Sequence, residues 1–126
     1  VAKKRISQHF HFTGFLKGQD VNNMFALSDV YVMPSVSEPF GISPLEAMNA
    51  NVPVIISKQS GVSEVLKYAI KVDFWDIDAM ANAIYCLINY PALSKMFIKN
   101  GKFEVETIRW EDSAQQLRDL YYKLLR

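Results

Sequence analysis

Residues 30–57 read VYVMPSVSEPFGISPLEAMNANVPVIIS, and this stretch decides the fold. Two short apolar runs, 30–33 and 53–57, flank a polar loop and a segment with helical composition. Pro34 ends the first run, because proline cannot donate a hydrogen bond to a strand ladder. Apolar strands on either side of a helix are typical of a parallel sheet that is covered on both faces. The stretch therefore predicts a β–loop–α–β unit with its helix over 43–50.

The same alternation of apolar runs and helical patterns continues on both sides of this unit. Period-two alternation over 9–13 (HFHFT) predicts one more strand, and the run 69–72 predicts the last one. Capping and first-turn residues predict helices that start at Asp20, near residue 62, after Asp76, at Pro91 (running toward Ile108) and near Trp110. We expect one α/β domain over residues 1–126, with a Rossmann-like parallel sheet and helices on both of its faces.

Two of these helices carry a clear apolar face. Spacing of three and four predicts that the helix after Asp76 buries Ile77, Met80, Ala81, Ile84, Leu87 and Ile88. The final helix aligns Ala114, Leu117, Leu120, Tyr121 and Leu124 on one stripe. We therefore expect both helices to present an apolar face to a partner surface.

Composition excludes several classes of protein. Half of the 126 residues are hydrophobic and the net charge is +1, which speaks against disorder and against a nucleic-acid partner. The single cysteine, Cys86, cannot form an internal disulfide, and this favours a cytoplasmic location. His9 and His11 alone make a poor metal site, so we expect neither a metal nor a cofactor. The first residue is not Met, and we expect the chain to be part of a longer protein.

The residues with chemical potential cluster in 34–46, PSVSEPFGISPLE. This loop follows a strand, and ligands of open parallel sheets bind outside the carboxyl ends of the strands. The helix start offers free amides for a phosphate, and Gly41 allows close backbone approach. Carboxylates at Glu38 and Glu46 can accept hydrogen bonds from sugar hydroxyls. Two simpler interpretations stay open: Ser43 and Glu46 fit an S-x-x-E capping box, and Glu38 could be a solvated loop residue.

The loop resembles the E-x7-E motif of retaining GT-B glycosyltransferases, above all family 4, with Glu38 and Glu46 as the two glutamates. The similarity extends in order through nearly the whole chain, over Phe12-Thr13-Gly14, Ser28-Asp29-Val30, Pro34-Ser35, EPFGISPLEAM, Pro53-Val54-Ile55, Ser60 to Val65, and Trp110 with its helix. An ordered set of this length is far more specific than the motif alone.

The resemblance implies a role for the loop in holding the donor sugar. Glu38 would bind hydroxyls of that sugar and is the residue expected to be catalytic. The backbone groups of Phe40, Gly41 and Ile42 would line the sugar and the diphosphate.

It also implies how the nucleotide is held. Ser43 and Leu45 would lie beside the diphosphate at the helix start, and Glu46 would bind the ribose hydroxyls. Phe15 and Leu16 occupy the region that borders the nucleobase in relatives, although a hydrophobic loop contact explains them equally well.

Some positions depart from the family pattern. Asn51 stands where a glycine is frequent, and asparagine tolerates left-handed backbone. Ser60 replaces one of two paired glycines, and the glycine-rich turn expected near residue 70 is missing, which suggests a specialised subgroup. The diphosphate-binding Arg and Lys of relatives lie upstream of this sequence, and we expect Lys17 and Lys58 to be solvated surface residues instead.

The implied function is that of a retaining hexosyltransferase that uses a UDP-, ADP- or GDP-sugar. The EPFG–SPLEAM run is similar to glycogen- and sucrose-phosphate-synthase relatives, which favours a glucose donor. A separate N-terminal domain would bind the acceptor, contact the last helix and mediate any membrane association. The alternatives are a nucleotide-sugar epimerase, a non-catalytic binding module, or a glycoside hydrolase whose two carboxyls, Glu38 and Glu46, face one glycosidic bond.

Overall fold

The computed structural model describes residues 5–125, in which three parallel strands form one sheet. Strand β1 covers Tyr31–Met33, β2 covers Val54–Ser57 and β3 covers Ile70–Val72. Strand β2 lies in the middle and pairs in parallel with both neighbours. The α/β prediction with a parallel sheet is confirmed.

Six α-helices precede, connect and follow these strands within the described residues. They are α1 (Gln19–Ala26), α2 (Ser43–Asn49), α3 (Val62–Val65), α4 (Ile77–Asn89), α5 (Pro91–Thr107) and α6 (Trp110–Leu124). Each lies where the sequence predicts a helix. The Asp76 carboxylate accepts a hydrogen bond from the Ala79 amide at 2.9 Å, which confirms the predicted cap of α4. Over residues 5–125, no helix is long and apolar enough to cross a membrane.

Two local predictions are wrong at the start of the chain. Residues 9–13 form no strand: a 3-10 turn covers Ser7–His9, and Phe12 exposes 83% of its surface. The alternation of apolar residues specifies a strand only where a partner strand pairs with it, and among residues 5–125 β1 pairs only with β2. Helix α1 starts at Gln19, after Gly18 with φ of +53°, so Asp20 lies in the first turn rather than at the cap.

The core lies on both faces of the sheet. Because side chains alternate along a strand, Val54 and Ile56 pack on one face with α2 and α3 residues, and Ile55 packs on the other with α4. The three side chains are fully buried. Helices therefore cover both faces, as the sequence predicts.

The apolar faces of the last helices are only partly used. Helix α4 packs on the sheet through Ala79, Met80, Ala83, Ile84 and Leu87. Ile77 and Ile88 are exposed near the two ends of the helix and Ala81 is exposed on its outer side, so their predicted burial is wrong. No residue of α6 is buried within the described chain, and its stripe at Leu117, Leu120, Tyr121 and Leu124 is exposed.

Helix α2 ends in a Schellman motif that explains Asn51. The Asn51 amide donates to the Met48 carbonyl at 3.1 Å, and the Val52 amide donates to the Ala47 carbonyl at 2.9 Å. Asn51 has φ of +63°, the left-handed conformation that asparagine tolerates better than most residues. The expected tolerance of a left-handed backbone at Asn51 is confirmed.

Helix α5 is fixed against α2 and against the turn before β3. Gly101 is buried where α5 meets the Met48 side chain. The Glu104 carboxylate accepts hydrogen bonds from the Lys67 and Tyr68 amides at 2.8 and 2.9 Å. Charge-assisted bonds of this kind are stronger than neutral ones, and they hold the turn in place.

The segment 34–42 between β1 and α2, hereafter the Glu38 loop, is fastened to the turn between β2 and α3. The Gly61 amide donates to the Glu38 carbonyl at 2.9 Å, and the Val62 amide donates to the Phe40 carbonyl at 3.0 Å. A Cβ atom on Gly61 would lie 2.0 Å from the Pro39 carbonyl oxygen. Only glycine therefore fits at position 61 without a shift of backbone.

We predict that Gly61→Ala lowers the free energy of unfolding by about 1–3 kcal/mol, the usual cost of overpacking. The matched control is Gly101→Ala, where the added methyl would meet the flexible end of Met48 at 2.8 Å. Alanine also favours a helix interior by up to about 1 kcal/mol over glycine, which offsets that contact. Urea unfolding of both variants measures the difference. Equal stability of the two variants would contradict the assigned close approach.

Candidate functional site

The Glu38 loop lies at the carboxyl end of the sheet. Strand β1 ends at Met33, the loop follows, and α2 starts at Ser43. The turn after β2 holds the loop from the side through Gly61 and Val62. Because parallel strands end at the same edge, the loop occupies the position where ligands bind in open α/β sheets.

Three consecutive backbone amides at the end of the Glu38 loop and the start of α2 donate no hydrogen bond to the described protein. Within residues 5–125, the N–H groups of Gly41, Ile42 and Ser43 make no hydrogen bond. Gly41 has φ of +87° and Ile42 is right-handed (φ −79°, ψ −30°). Successive left- and right-handed conformations turn neighbouring amides toward one side, which is a common way to bind an anion.

Gly41 is favoured by space as well as by its conformation. A Cβ atom there would lie 3.1 Å from the Glu38 Cγ and 3.2 Å from the Met33 Cε. A side chain at position 41 would therefore require the Glu38 and Met33 side chains to shift by a few tenths of an ångström. The sequence argument for Gly41 rested on close backbone approach, and the structure adds this second reason.

The capping-box interpretation of Ser43 and Glu46 is wrong. Ile42 occupies the N-cap position of α2, and no side chain of residues 5–125 caps the helix. The Ser43 hydroxyl lies instead 2.7 Å from the Tyr31 hydroxyl and links α2 to β1. With Ser43 as the N-cap, α2 would begin at Pro44, but it begins at Ser43 itself. Glu46 is exposed.

The two glutamates differ in their surroundings. Glu38 is half-buried at the base of the loop, whereas Glu46 is exposed on α2. Among the described residues, neither carboxylate has a hydrogen-bond or ion-pair partner in the protein. Both carboxylates are therefore free to accept hydrogen bonds from a ligand.

A cavity of about 300 Å³ lies beside the loop. Its walls are Phe40, Ile42, Leu45, Glu46 and Asn49 on one side, and Val105, Ile108, Arg109, Trp110 and Ser113 at the α5–α6 junction. The structure thus brings four of the predicted site residues together. The sequence interpretation gave Arg109 and Trp110 no role here, since Arg109 lies 63 positions after Glu46 in the chain and nothing local relates them.

A second cavity of about 340 Å³ contains Phe15 and Leu16. Its other walls are Thr13, Gly14, Val21, Met24, Phe25, Ser28 and Tyr31. Phe15 is 86% exposed, and the Lys17 ammonium lies 5.4 Å from its ring centre. The Tyr31–Ser43 hydroxyl contact joins this cavity to the start of α2. Phe15 and Leu16 therefore line a cavity separate from the one that contains Phe40 and Glu46.

A polar network extends from the β2–α3 turn to the end of β3. Asp73 accepts hydrogen bonds from the Lys58 ammonium at 2.9 Å and from the Gln59 amide at 3.0 Å. These bonds, first from Lys58 and then from Gln59, hold the pKa of Asp73 below its usual value. Lys58 is exposed, as predicted, but it is ion-paired rather than simply solvated. No sequence pattern indicated this pairing.

The chain has clear relatives. A family model described as "Glycosyl transferases group 1" matches residues 1–103. An uncharacterized glycosyltransferase of Methanocaldococcus jannaschii is 31% identical over 115 residues, which cover 87% of this chain and 29% of that protein. Sulfoquinovosyl transferase of Arabidopsis thaliana is 26% identical over 88% of this chain and 23% of its own length.

A solved structure shows the same fold. Sucrose-phosphate synthase from Thermosynechococcus elongatus superimposes with a TM-score of 0.84 at 31% identity, over 99% of this chain and 32% of that one. The chain thus spans about a third or less of the length of these relatives. The family match covers most of the chain, and the fold agrees with it. The chain belongs to the group 1 glycosyltransferases and has the α/β fold of a GT-B half-domain.

Proposed function

We propose that this chain is the donor-binding part of a longer, cytoplasmic enzyme that transfers a hexose from a nucleoside diphosphate sugar with retention of anomeric configuration. The observation that carries the proposal is the set of three free amides at Gly41, Ile42 and Ser43, beside the unpartnered Glu38 carboxylate. Such a pairing suits a ligand with an anionic phosphate at one end and hydroxyls at the other.

The diphosphate would bind at the three free amides. The Ser43 hydroxyl, fixed by Tyr31, would lie beside it. The Leu45 amide already donates to the Ile42 carbonyl at 2.9 Å, so Leu45 would contribute its side chain, which lines the cavity. Helix α2 has only seven residues, so the local amides rather than a long helix dipole would supply the attraction.

The two glutamates would hold the two sugars of the donor. Glu38, next to the amides, would accept hydrogen bonds from hydroxyls of the transferred hexose, with Phe40 and Ile42 lining it. Glu46, one turn into α2 and exposed, would accept the ribose hydroxyls. Phe15 and Leu16 would border the base in the second cavity, which the Tyr31–Ser43 contact joins to α2.

Chemistry at this site would depend on stabilising the departing diphosphate. Amides fixed in advance cost no reorganisation when charge develops on a leaving group, and they act at the point where that charge appears. The Glu38 loop meets this condition because Gly61 and Val62 hold its backbone. The basic residues and the acceptor site would come from other parts of the enzyme.

A glucose donor is the first choice for the transferred sugar. Similarity to the solved structure of sucrose-phosphate synthase supports this choice. Ligand-induced thermal shift of the longer protein against UDP-, ADP- and GDP-sugars would test it. Nucleotide binding without transfer would indicate a binding module, and an isomerised sugar nucleotide would indicate an epimerase.

We expect Glu46→Gln in the longer protein to weaken nucleoside diphosphate binding by about tenfold, the value of one charge-assisted hydrogen bond. Its melting temperature should change little, because no side chain caps α2 and the charge of Glu46 in the first turn contributes at most about 1 kcal/mol. Glu38→Gln should reduce turnover more than nucleotide binding, since it would contact the sugar. Glu64→Gln, an exposed glutamate on α3, is the matched control. If neither site variant differs from this control, the site assignment is wrong.

The isolated 126-residue chain should transfer no sugar to any acceptor. The physical reason is that the acceptor site and the basic residues that would stabilise the diphosphate are proposed to lie in other parts of the longer enzyme, since this chain matches about a third or less of the length of its relatives. Turnover assays with radiolabelled UDP-, ADP- and GDP-glucose, run on the chain and on the longer protein, check this. Robust transfer by the chain alone would contradict the proposal that a second domain binds the acceptor.

A further inference from the structure

Two side chains of β1 contact the two ends of the segment that carries the free amides. Side chains alternate along a strand, so Tyr31 and Met33 lie on the same face of the sheet. The Tyr31 hydroxyl lies 2.7 Å from the Ser43 hydroxyl, and the Met33 Cε lies 3.2 Å from the position that a Cβ atom on Gly41 would take. Strand β1 therefore supports the segment 41–43 at its first and at its last residue.

The Tyr31 side chain is held by the core. Phe25 contacts its ring edge-to-face with ring centres 5.8 Å apart, and the ring packs against the buried cluster that contains Val54 and Ile56. Tyr31 also lines the second cavity, where the base is proposed to bind. A single half-buried residue thus lines the proposed base site and contacts Ser43 through its hydroxyl.

The contact between the two hydroxyls leaves one hydrogen unused. Each hydroxyl carries one donor hydrogen and can also accept, and a single hydrogen joins the two oxygens. Within residues 5–125, neither hydroxyl makes a second hydrogen bond. What binds beside the pair therefore decides which of the two hydroxyls donates to the other.

An anion at the free amides would select one of the two arrangements. Only two carbon atoms separate the Ser43 Oγ from the Ser43 amide nitrogen, so bonds of about 1.5 Å keep these atoms within about 4 Å of each other. A phosphate group that accepts from the amide is thus close enough to accept from the hydroxyl. Ser43 would then donate to the phosphate and accept from Tyr31, and consecutive hydrogen bonds of this kind strengthen one another.

From this geometry we infer that Tyr31 is a positioning residue for the departing diphosphate: its hydroxyl donates to Ser43 and directs the Ser43 hydrogen to a diphosphate oxygen. The inference rests on the proposed function, because it deepens the account of the same site. No proton is transferred in this role. When the bond between the sugar and the diphosphate breaks, the electron pair stays on the diphosphate oxygen, and the Ser43 hydrogen bond strengthens with the growing charge.

The test is a double-mutant cycle in the longer protein with Tyr31→Phe, Ser43→Ala and the double variant. Isothermal titration measures the affinity of each for UDP, ADP and GDP. Ser43→Ala should weaken diphosphate binding by about tenfold or more, because it removes a hydrogen bond to a charged group. Tyr31→Phe should weaken it by about fivefold, because it removes a neutral hydrogen bond. The double variant should match Ser43→Ala alone, since Tyr31 acts only through Ser43.

Two further measurements separate this role from a merely structural one. Phenylalanine keeps the ring in the second cavity, so Tyr31→Phe should leave the affinity for uridine, adenosine and guanosine unchanged while it weakens binding of the diphosphates. The matched control is Tyr85→Phe, which removes the hydroxyl of an exposed tyrosine on α4 and should change neither affinity.

Equal diphosphate affinity of Tyr31→Phe and Tyr85→Phe would overturn the inference and leave the proposed function intact. So would a double variant that shows the product of the two single losses, because Tyr31 would then act independently of Ser43. An equal loss of nucleoside and diphosphate affinity in Tyr31→Phe would also overturn it, since Tyr31 would then serve only the base. Failure of UDP, ADP and GDP to bind the unmodified protein would instead refute the proposed function, and the inference with it.

Discussion

Two backbone hydrogen bonds, from the Gly61 and Val62 amides to the Glu38 and Phe40 carbonyls, fix the shape of the candidate site. They form only because position 61 has no side chain that would overlap the Pro39 carbonyl. Since main-chain groups hold the loop, its side chains and its amides at 41–43 stay available. A loop held by its own side chains would have used the groups that a ligand needs.

The constraint at Gly61 depends in turn on how β2 is buried. Val54, Ile55 and Ile56 are fully buried on both faces of the sheet, so the end of β2 has one position relative to its neighbours. The turn that follows is polar, and each of its backbone amides from Lys58 to Gly61 donates a hydrogen bond. The Ser60 hydroxyl donates to the Ser57 carbonyl and the Ser63 hydroxyl to the Lys58 carbonyl. An apolar strand thus ends in a hydrogen-bonded polar turn, which supports both the Glu38 loop and the turn after β3.

The outer surface of the chain differs from this edge. Helix α6 exposes its apolar stripe throughout, and the cavity at the α5–α6 junction contains Glu46 together with Arg109 and Trp110. The chain spans about a third or less of the length of its relatives. Neither the exposed stripe nor the open edge contributes a fully buried side chain to the core that positions the site.

The sequence by itself determined the order of strands and helices from residue 30 onward, the cap at Asp76, the left-handed Asn51 and the family. These features depend on local chemistry, on periodicity or on an ordered set of motifs. Only the tertiary structure decided that residues 9–13 lack a strand partner, that Ser43 bonds Tyr31 instead of capping α2, and that Gln59 links Asp73 to Phe74. Each of these outcomes depends on which distant group lies within hydrogen-bond distance, and neither spacing nor propensity along the chain contains that information.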